Sequence, residues 1–360
     1  MENKLRALFN DQLERRECFG GAAAVIKDKE VVFNETFGDV TFNENSLYRL
    51  ASVTKIFTAA AVMKLYGEGK LDINANVSAY LPDYKRLSLG DIAPNGMVYS
   101  TLKPQREITL FDLLTHTAGL GADTLGNREY SVMPTEEKVN LSRVCDFYAK
   151  NFHLAFEPGS RAAYSGFAGF DVLAHIVEIT SGLNFNDYLQ KEIFAPLGMT
   201  DTTFQPTDEQ YARLVPMHQR VRGEDKEIDF KGLVFRGMPR SYEAGGASLV
   251  SSMSDMLKFC KMLLSDGGGV LSPKLISLMT APALPDGLDG LARGENNGLG
   301  CFVISGQHRL PKGTVYSHGA YGTHLLLDIK RGFAAIFLKN SYFDMSLNSR
   351  STLMFEDAVM

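Results

Sequence analysis

Ser52-Val53-Thr54-Lys55-Ile56-Phe57-Thr58-Ala59-Ala60-Ala61-Val62-Met63 is rich in helix formers, apolar nearly all round, and runs toward Gly67 as a stop. A helix without a polar face has to be buried, so the spacing predicts a core helix from about Val53 to Tyr66 with Ser52 at its start. Lys55 then lies one turn along from Ser52 on the same face, near enough to exchange a proton. The helix start adds free backbone N–H groups and the positive end of the dipole, both favourable to negative charge on the serine oxygen. Burial disfavours the charged form of a lysine, so a neutral Lys55 can accept the Ser52 proton. A helix-capping serine followed by a surface lysine reads this segment equally well.

Away from this helix the period changes from 3.6 to 2. Ala22 to Ile26 and Val31 to Phe37 flank Lys27-Asp28-Lys29, and His324 to Ile329 and Phe333 to Leu338 flank Lys330-Arg331-Gly332. These are two strand–turn–strand signatures, one near each end of the chain. Leu5, Leu8, Phe9 and Leu13 are spaced as a helix within residues 2–17, closed by Gly20-Gly21, and the tail from about Met345 suits another helix. Leu110 to Thr115, Phe170 to Thr180 and Met253 to Leu264 show helical periods in between. The expected fold is α/β (α+β): an antiparallel sheet flanked by terminal helices and drawn from residues 1–50 and 298–360, plus a mostly helical insertion over 51–297 that carries Ser52 and Tyr164. The chain shows no internal repeat and no low-complexity linker.

With 360 residues, 45% hydrophobic and 22% charged, the chain can bury a large core and is neither fibrous nor disordered. A net charge of −5 leaves no basic surplus for nucleic acid. Cys18, Cys145, Cys260 and Cys301 are scattered singly, without CxxC or histidines at ligand spacing, and read as reduced thiols; no metal or cofactor is expected. MENKLRALFNDQLERRE at the start lacks the apolar core of a secretory signal, and no stretch is long and apolar enough for a membrane span. A cytoplasmic protein without a membrane partner is the expectation. Tryptophan is absent against 23 Phe and 14 Tyr, so any aromatic wall has to be built from the latter two.

GxxxxGK[ST], HExxH and GxSxG do not occur. Ser-x-x-Lys occurs twice, where roughly one match is expected by chance. The copy Ser100-Thr101-Leu102-Lys103 is followed by Pro104, which pushes Lys103 out of the helical region. The copy at Ser52 keeps its helix. Glu157-Pro158-Gly159-Ser160-Arg161-Ala162-Ala163-Tyr164-Ser165-Gly166 is a turn that delivers a tyrosine to the start of a helix, although a loop tyrosine is ordinarily a half-buried packing residue. Tyr316-Ser317-His318-Gly319-Ala320-Tyr321-Gly322-Thr323 leads into the C-terminal hairpin, and glycines in a strand mark close approach by backbone or ligand.

Ser-x-x-Lys, a Tyr-Ser motif about a hundred residues on, and a glycine-bearing strand motif near the C-terminus, in that order, resemble the serine β-lactamase and penicillin-binding-protein superfamily. Leu50-Ala51-Ser52-Val53-Thr54-Lys55, Leu113-Leu114-Thr115-His116-Thr117-Ala118-Gly119-Leu120, Phe156-Glu157-Pro158-Gly159, Ala195-Pro196-Leu197-Gly198-Met199 and Gly245-Gly246-Ala247-Ser248-Leu249 make the chain similar to the class C-like branch, which includes family VIII carboxylesterases. The resemblance spans about residues 20 to 340. It implies Ser52 as nucleophile, Lys55 as its proton acceptor or electrostatic partner, Tyr164 as second proton shuttle, and the N–H groups of Ser52 and Ala320 as oxyanion hole.

Two departures stand out. The asparagine that family members carry two residues after the tyrosine is Gly166 here, without an amide to hold a substrate amide. The Lys-Thr-Gly of the strand is replaced by Ser317-His318-Gly319 in an ungapped fit, which keeps Gly319-Ala320-Tyr321-Gly322-Thr323 in register; a one-residue gap would move the oxyanion donor to Tyr321. These positions are the substrate-binding candidates, and His318 is mostly neutral at pH 7 at its ordinary pKa. Without a fixed cation and an amide anchor, the resemblance implies a small ester as substrate, with a carboxylesterase activity. D-aminopeptidase or amidase, penicillin-binding protein, acyltransferase, and a ligand-binding homologue without turnover are the alternatives. His116, Gly119 and Gly245-Gly246 are read as helix, turn and loop architecture.

Overall fold

The computed structural model describes residues 1–39, 41–221, 224–228, 239–341 and 350–360. Its main sheet has seven antiparallel strands in the spatial order Glu30–Gly38, Gly20–Lys27, Phe333–Leu338, Thr323–Asp328, Val315–Gly319, Phe302–Ile304 and Glu295–Asn297. Both hairpins expected from the sequence are present and join edge to edge, with Ala24 opposite Ile336.

Alternation along Gly20–Lys27 serves two layers at once. Ala23 and Val25 face a cluster with Leu5, Leu8, Phe337 and Phe355, contributed in part by the terminal helices Glu2–Glu14 and Arg350–Val359. Phe9 stacks on Phe37 at 4.0 Å between ring centroids, and Phe337 on Phe355 at 4.9 Å. Ala22, Ala24 and Ile26 join the larger inner cluster. A strand buried on both faces reads as a continuous apolar run, as this one does.

The helix Met253–Leu264 packs on Gly20–Lys27 and Phe333–Leu338, although it falls within the stretch 51–297 expected to form a separate helical unit. Its buried stripe, which includes Met256, Phe259 and Leu263, needs an apolar partner, and the inner face of the sheet supplies it. The sheet also reaches back to Glu295–Asn297, ahead of the expected boundary at 298. One continuous inner cluster therefore serves the sheet and the helices together.

The helix that begins at Thr54 runs to Gly67, and every residue from Thr54 to Met63 is buried. It packs along Ala168–Ser181 and is entered through a 3-10 turn over Ala51–Val53. Val315–Gly319 lies against that turn. The approach depends on Gly319: a Cβ there would stand 2.4 Å from the Leu50 carbonyl oxygen. Thr323 fastens the same carbonyl by a hydroxyl hydrogen bond of 2.9 Å. Among the described residues no helix is long and apolar enough to cross a membrane.

Candidate active site

Ala51 has φ +48°, a conformation costly for a residue with a Cβ, and the strained turn sets Ser52 at the mouth of a cleft. Lys55 sits below it, 3% exposed. A buried amine needs acceptors, and Lys55 Nζ donates to the carbonyl oxygens of Gly166 at 2.8 Å and Gly246 at 2.7 Å. Its third neighbour is Ser52 Oγ at 3.4 Å. The other Ser-x-x-Lys copy forms no such pair: Ser100 bonds His153 and Lys103 donates to the Arg86 carbonyl.

Tyr164 is 41% exposed and its ring centroid lies 4.9 Å from Lys55 Nζ. His116 packs against it at 4.7 Å between rings. His116 reads as ordinary turn architecture in the sequence, yet it lines the cleft with φ +59° and its Nδ1 accepts the Ser165 backbone N–H at 3.2 Å. Burial, helped by the charge of Lys55, pulls its pKa down to about 3, so the ring is neutral.

Beyond Ser52, the strand motif divides by alternation. Tyr316, His318 and Ala320 line the cleft, whereas Ser317 and Gly319 alternate away from it. Of the three residues expected to replace Lys-Thr-Gly at the substrate, His318 alone is therefore part of the wall. Burial, and again Lys55, pull its pKa to about 4, and its Nδ1 has no hydrogen-bond partner among the described residues. Ala320 faces the cleft, while Tyr321 is buried. Neither the Ser52 nor the Ala320 N–H is engaged by a carbonyl among the turn and loop hydrogen bonds of the described residues. Gly166 is present as a carbonyl that holds Lys55, and nothing stands within 4 Å of where its Cβ would be.

Phe302, missed in the sequence because its strand is only three residues long, pairs with Tyr316 and brings its ring to 5.1 Å from Tyr316 and 5.6 Å from His318. The cleft has a volume of about 380 Å³ and is continued by Ala162, Leu291 and Ala292. Among the described residues that line it there is no Lys or Arg, and Glu295 is the one carboxylate. Behind the cleft, Asp171 is fully buried and its Oδ2 accepts the hydroxyls of Tyr242 at 2.6 Å and Tyr148 at 3.0 Å. Burial raises its pKa to about 6 against the opposing effect of those hydrogen bonds and of Lys55.

A family model described as Beta-lactamase matches residues 5–358. Esterase EstB of Burkholderia gladioli is 27% identical over 400 residues, covering 99% of this chain and 94% of that protein. A Mycobacterium tuberculosis protein is 30% identical over 270 residues, 73% of this chain, and the match spans 66% of the relative's own length. The solved structure of EstCE1, described as a hydrolase with promiscuous acyltransferase activity, superposes with a TM-score of 0.83 over 99% of this chain and 98% of that one at 22% identity, a likeness of fold.

Proposed function

This chain belongs to the beta-lactamase family, and on that premise we propose that it is a serine hydrolase that cleaves small acyl esters through an acyl-enzyme on Ser52. The observation that carries the reading is the Ser52–Lys55 pair at 3.4 Å beneath a largely apolar cleft with no cation among its described lining residues. Lys55 Nζ is held by the Gly166 and Gly246 carbonyls with Ser52 Oγ as its third neighbour, so the amine, once it has given up one proton, turns its lone pair to the Ser52 hydroxyl. Ser52 Oγ then bonds the ester carbonyl carbon, and the oxyanion is held by the N–H groups of Ser52 and Ala320. As the bond to the alcohol breaks, the Tyr164 hydroxyl supplies the proton that the leaving oxygen requires. Water, deprotonated by the same groups, releases the acid and restores Ser52. Neutral His318 in place of a fixed cation favours an ester over a β-lactam or peptide carboxylate. The resemblance to an esterase over nearly the whole of both chains supports the same choice. Cys18, Cys145, Cys260 and Cys301 are buried free thiols, which suits a reducing, cytoplasmic setting.

Mass spectrometry after a fluorophosphonate, with p-nitrophenyl ester turnover measured in parallel, tests the reading. The expected result is an adduct on Ser52 and loss of turnover by a factor of about 10³ or more in Ser52→Ala. Turnover unchanged by Ser52→Ala, or a stable penicillin adduct with negligible ester turnover, would replace it.

A further inference from the structure

The cleft has one charged wall. Glu295 lines it with its side chain 21% exposed, and the Tyr316 hydroxyl donates to Oε2 at 2.5 Å, which fixes the carboxylate at the edge of the ring row. Its other oxygen is 3.4 Å from His308 Nε2. The row itself is aromatic: Phe302, Tyr316 and His318 lie side by side with interplanar angles of 25° or 15° from Phe302 to its two neighbours. No described lining residue carries positive charge, His116 and His318 being held neutral by burial, and the Lys55 amine lies below the lining against Ser52, where the ester carbonyl sits. A carboxylate beside aromatic rings in a largely apolar cleft is the chemistry that receives an organic cation, and it opposes an anion.

We propose that the cleft takes esters bearing an ammonium group of the quaternary type, with Glu295 as counter-charge and Phe302 and Tyr316 as the aromatic wall. This rests on the hydrolase reading for its covalent step but not for its binding step. The substrate's charged group sits against Glu295 while its carbonyl lies over Ser52. An acyl or alcohol portion ending in a carboxylate is excluded by the same residue.

The test titrates the full chain with choline, with its uncharged isostere 3,3-dimethylbutan-1-ol, and with the anion 3,3-dimethylbutanoate, followed by ligand-observed NMR; fluorophosphonate labelling of Ser52 is run in parallel. Choline is expected to bind tighter than the isostere by roughly fivefold, the factor carried by one exposed ion pair. The anion is expected to bind weakest. Glu295→Gln levels choline with the alcohol, and Glu295→Lys turns the preference toward the anion. Equal binding of choline and the alcohol by the wild-type protein, or a choline preference that survives Glu295→Gln, overturns the proposal. Labelling of Ser52 without a choline preference sinks this inference alone, whereas a Glu295-dependent choline preference without labelling upholds it and sinks the hydrolase reading.

Discussion

Lys55 and Gly246 hold each other in place: the lysine nitrogen donates to the Gly246 carbonyl at 2.7 Å, and a Cβ on that glycine would stand 3.2 Å from the same nitrogen. It would also stand 2.7 Å from the Gly166 carbonyl oxygen, the lysine's other acceptor. Gly246→Ala should therefore displace the amine while leaving the cleft open. We expect kcat on a p-nitrophenyl ester to fall by about 10², the usual penalty for a misplaced reacting group, with KM little changed. Wild-type kcat in a folded Gly246→Ala protein would show that Lys55 need not sit where it does.

Gly319 offers a separate test of the oxyanion site. A methyl there meets the Leu50 carbonyl oxygen at 2.4 Å and the Ala51 Cβ at 3.0 Å, so Val315–Gly319 has to draw back from the turn that carries Ser52. Gly319→Ala should lose about 10²–10³ in kcat, the effect of removing one oxyanion donor. Thermal unfolding should register a loss of about 1–3 kcal/mol from the overpacking. A stability loss with normal kcat would remove the Ala320 N–H from the mechanism.

Gly166 has open space where a side chain would begin. Gly166→Asn can therefore add an amide next to the Lys55 acceptor without a steric penalty at Cβ. The ratio of kcat/KM for an anilide to that for the matched ester should rise roughly tenfold, the worth of one good hydrogen bond to the substrate amide. An unchanged ratio would mean that the missing amide does not set the preference for esters.

His318 makes a pH prediction. Its folded pKa, about 4, lies below the usual 6.5, so the unfolded chain binds the extra proton first. Stability from this residue is complete above about pH 6.5 and declines as pH falls toward 4. Replacement by Gln removes that titration, so the Tm difference between wild type and His318→Gln should shift in favour of the variant on going from pH 7 to pH 4.5. A difference independent of pH would show that the ring is not held neutral by its surroundings.

Tyr164 entered through the family pattern, its own segment reading as an ordinary turn, whereas the placing of Ser52 and Lys55 together at the start of a buried helix was legible because that information is local. The two hairpins were legible for the same reason, each being two apolar runs about a charged turn. Phe302 was not, because a three-residue strand has no period and its partner Tyr316 is set by sheet register. The family pattern placed Ser317, His318 and Gly319 together at the substrate, but strand alternation sends only His318 to the cleft. His116 sat in a quoted motif, and its place in the wall depends on a left-handed backbone that single-residue propensities do not reveal. Met253–Leu264 had the right helical period, but the choice of the sheet as its partner is a tertiary matter. Of the expected C-terminal helix, residues 345–349 lie outside the described residues, and Arg350–Val359 is helical.

The pairing of Ala24 with Ile336 joins positions roughly 300 residues apart, which places this chain among slow, non-local folders. On the ribosome, the first hairpin emerges with one edge bare and has to wait for almost all the rest to be synthesised before Phe333–Leu338 can cover it. The strand that positions Ala320 arrives just as late. The newborn chain thus stays an unfinished sheet, vulnerable to edge-to-edge association, while roughly 300 residues are added, and Ser52 acquires its opposite wall only after them.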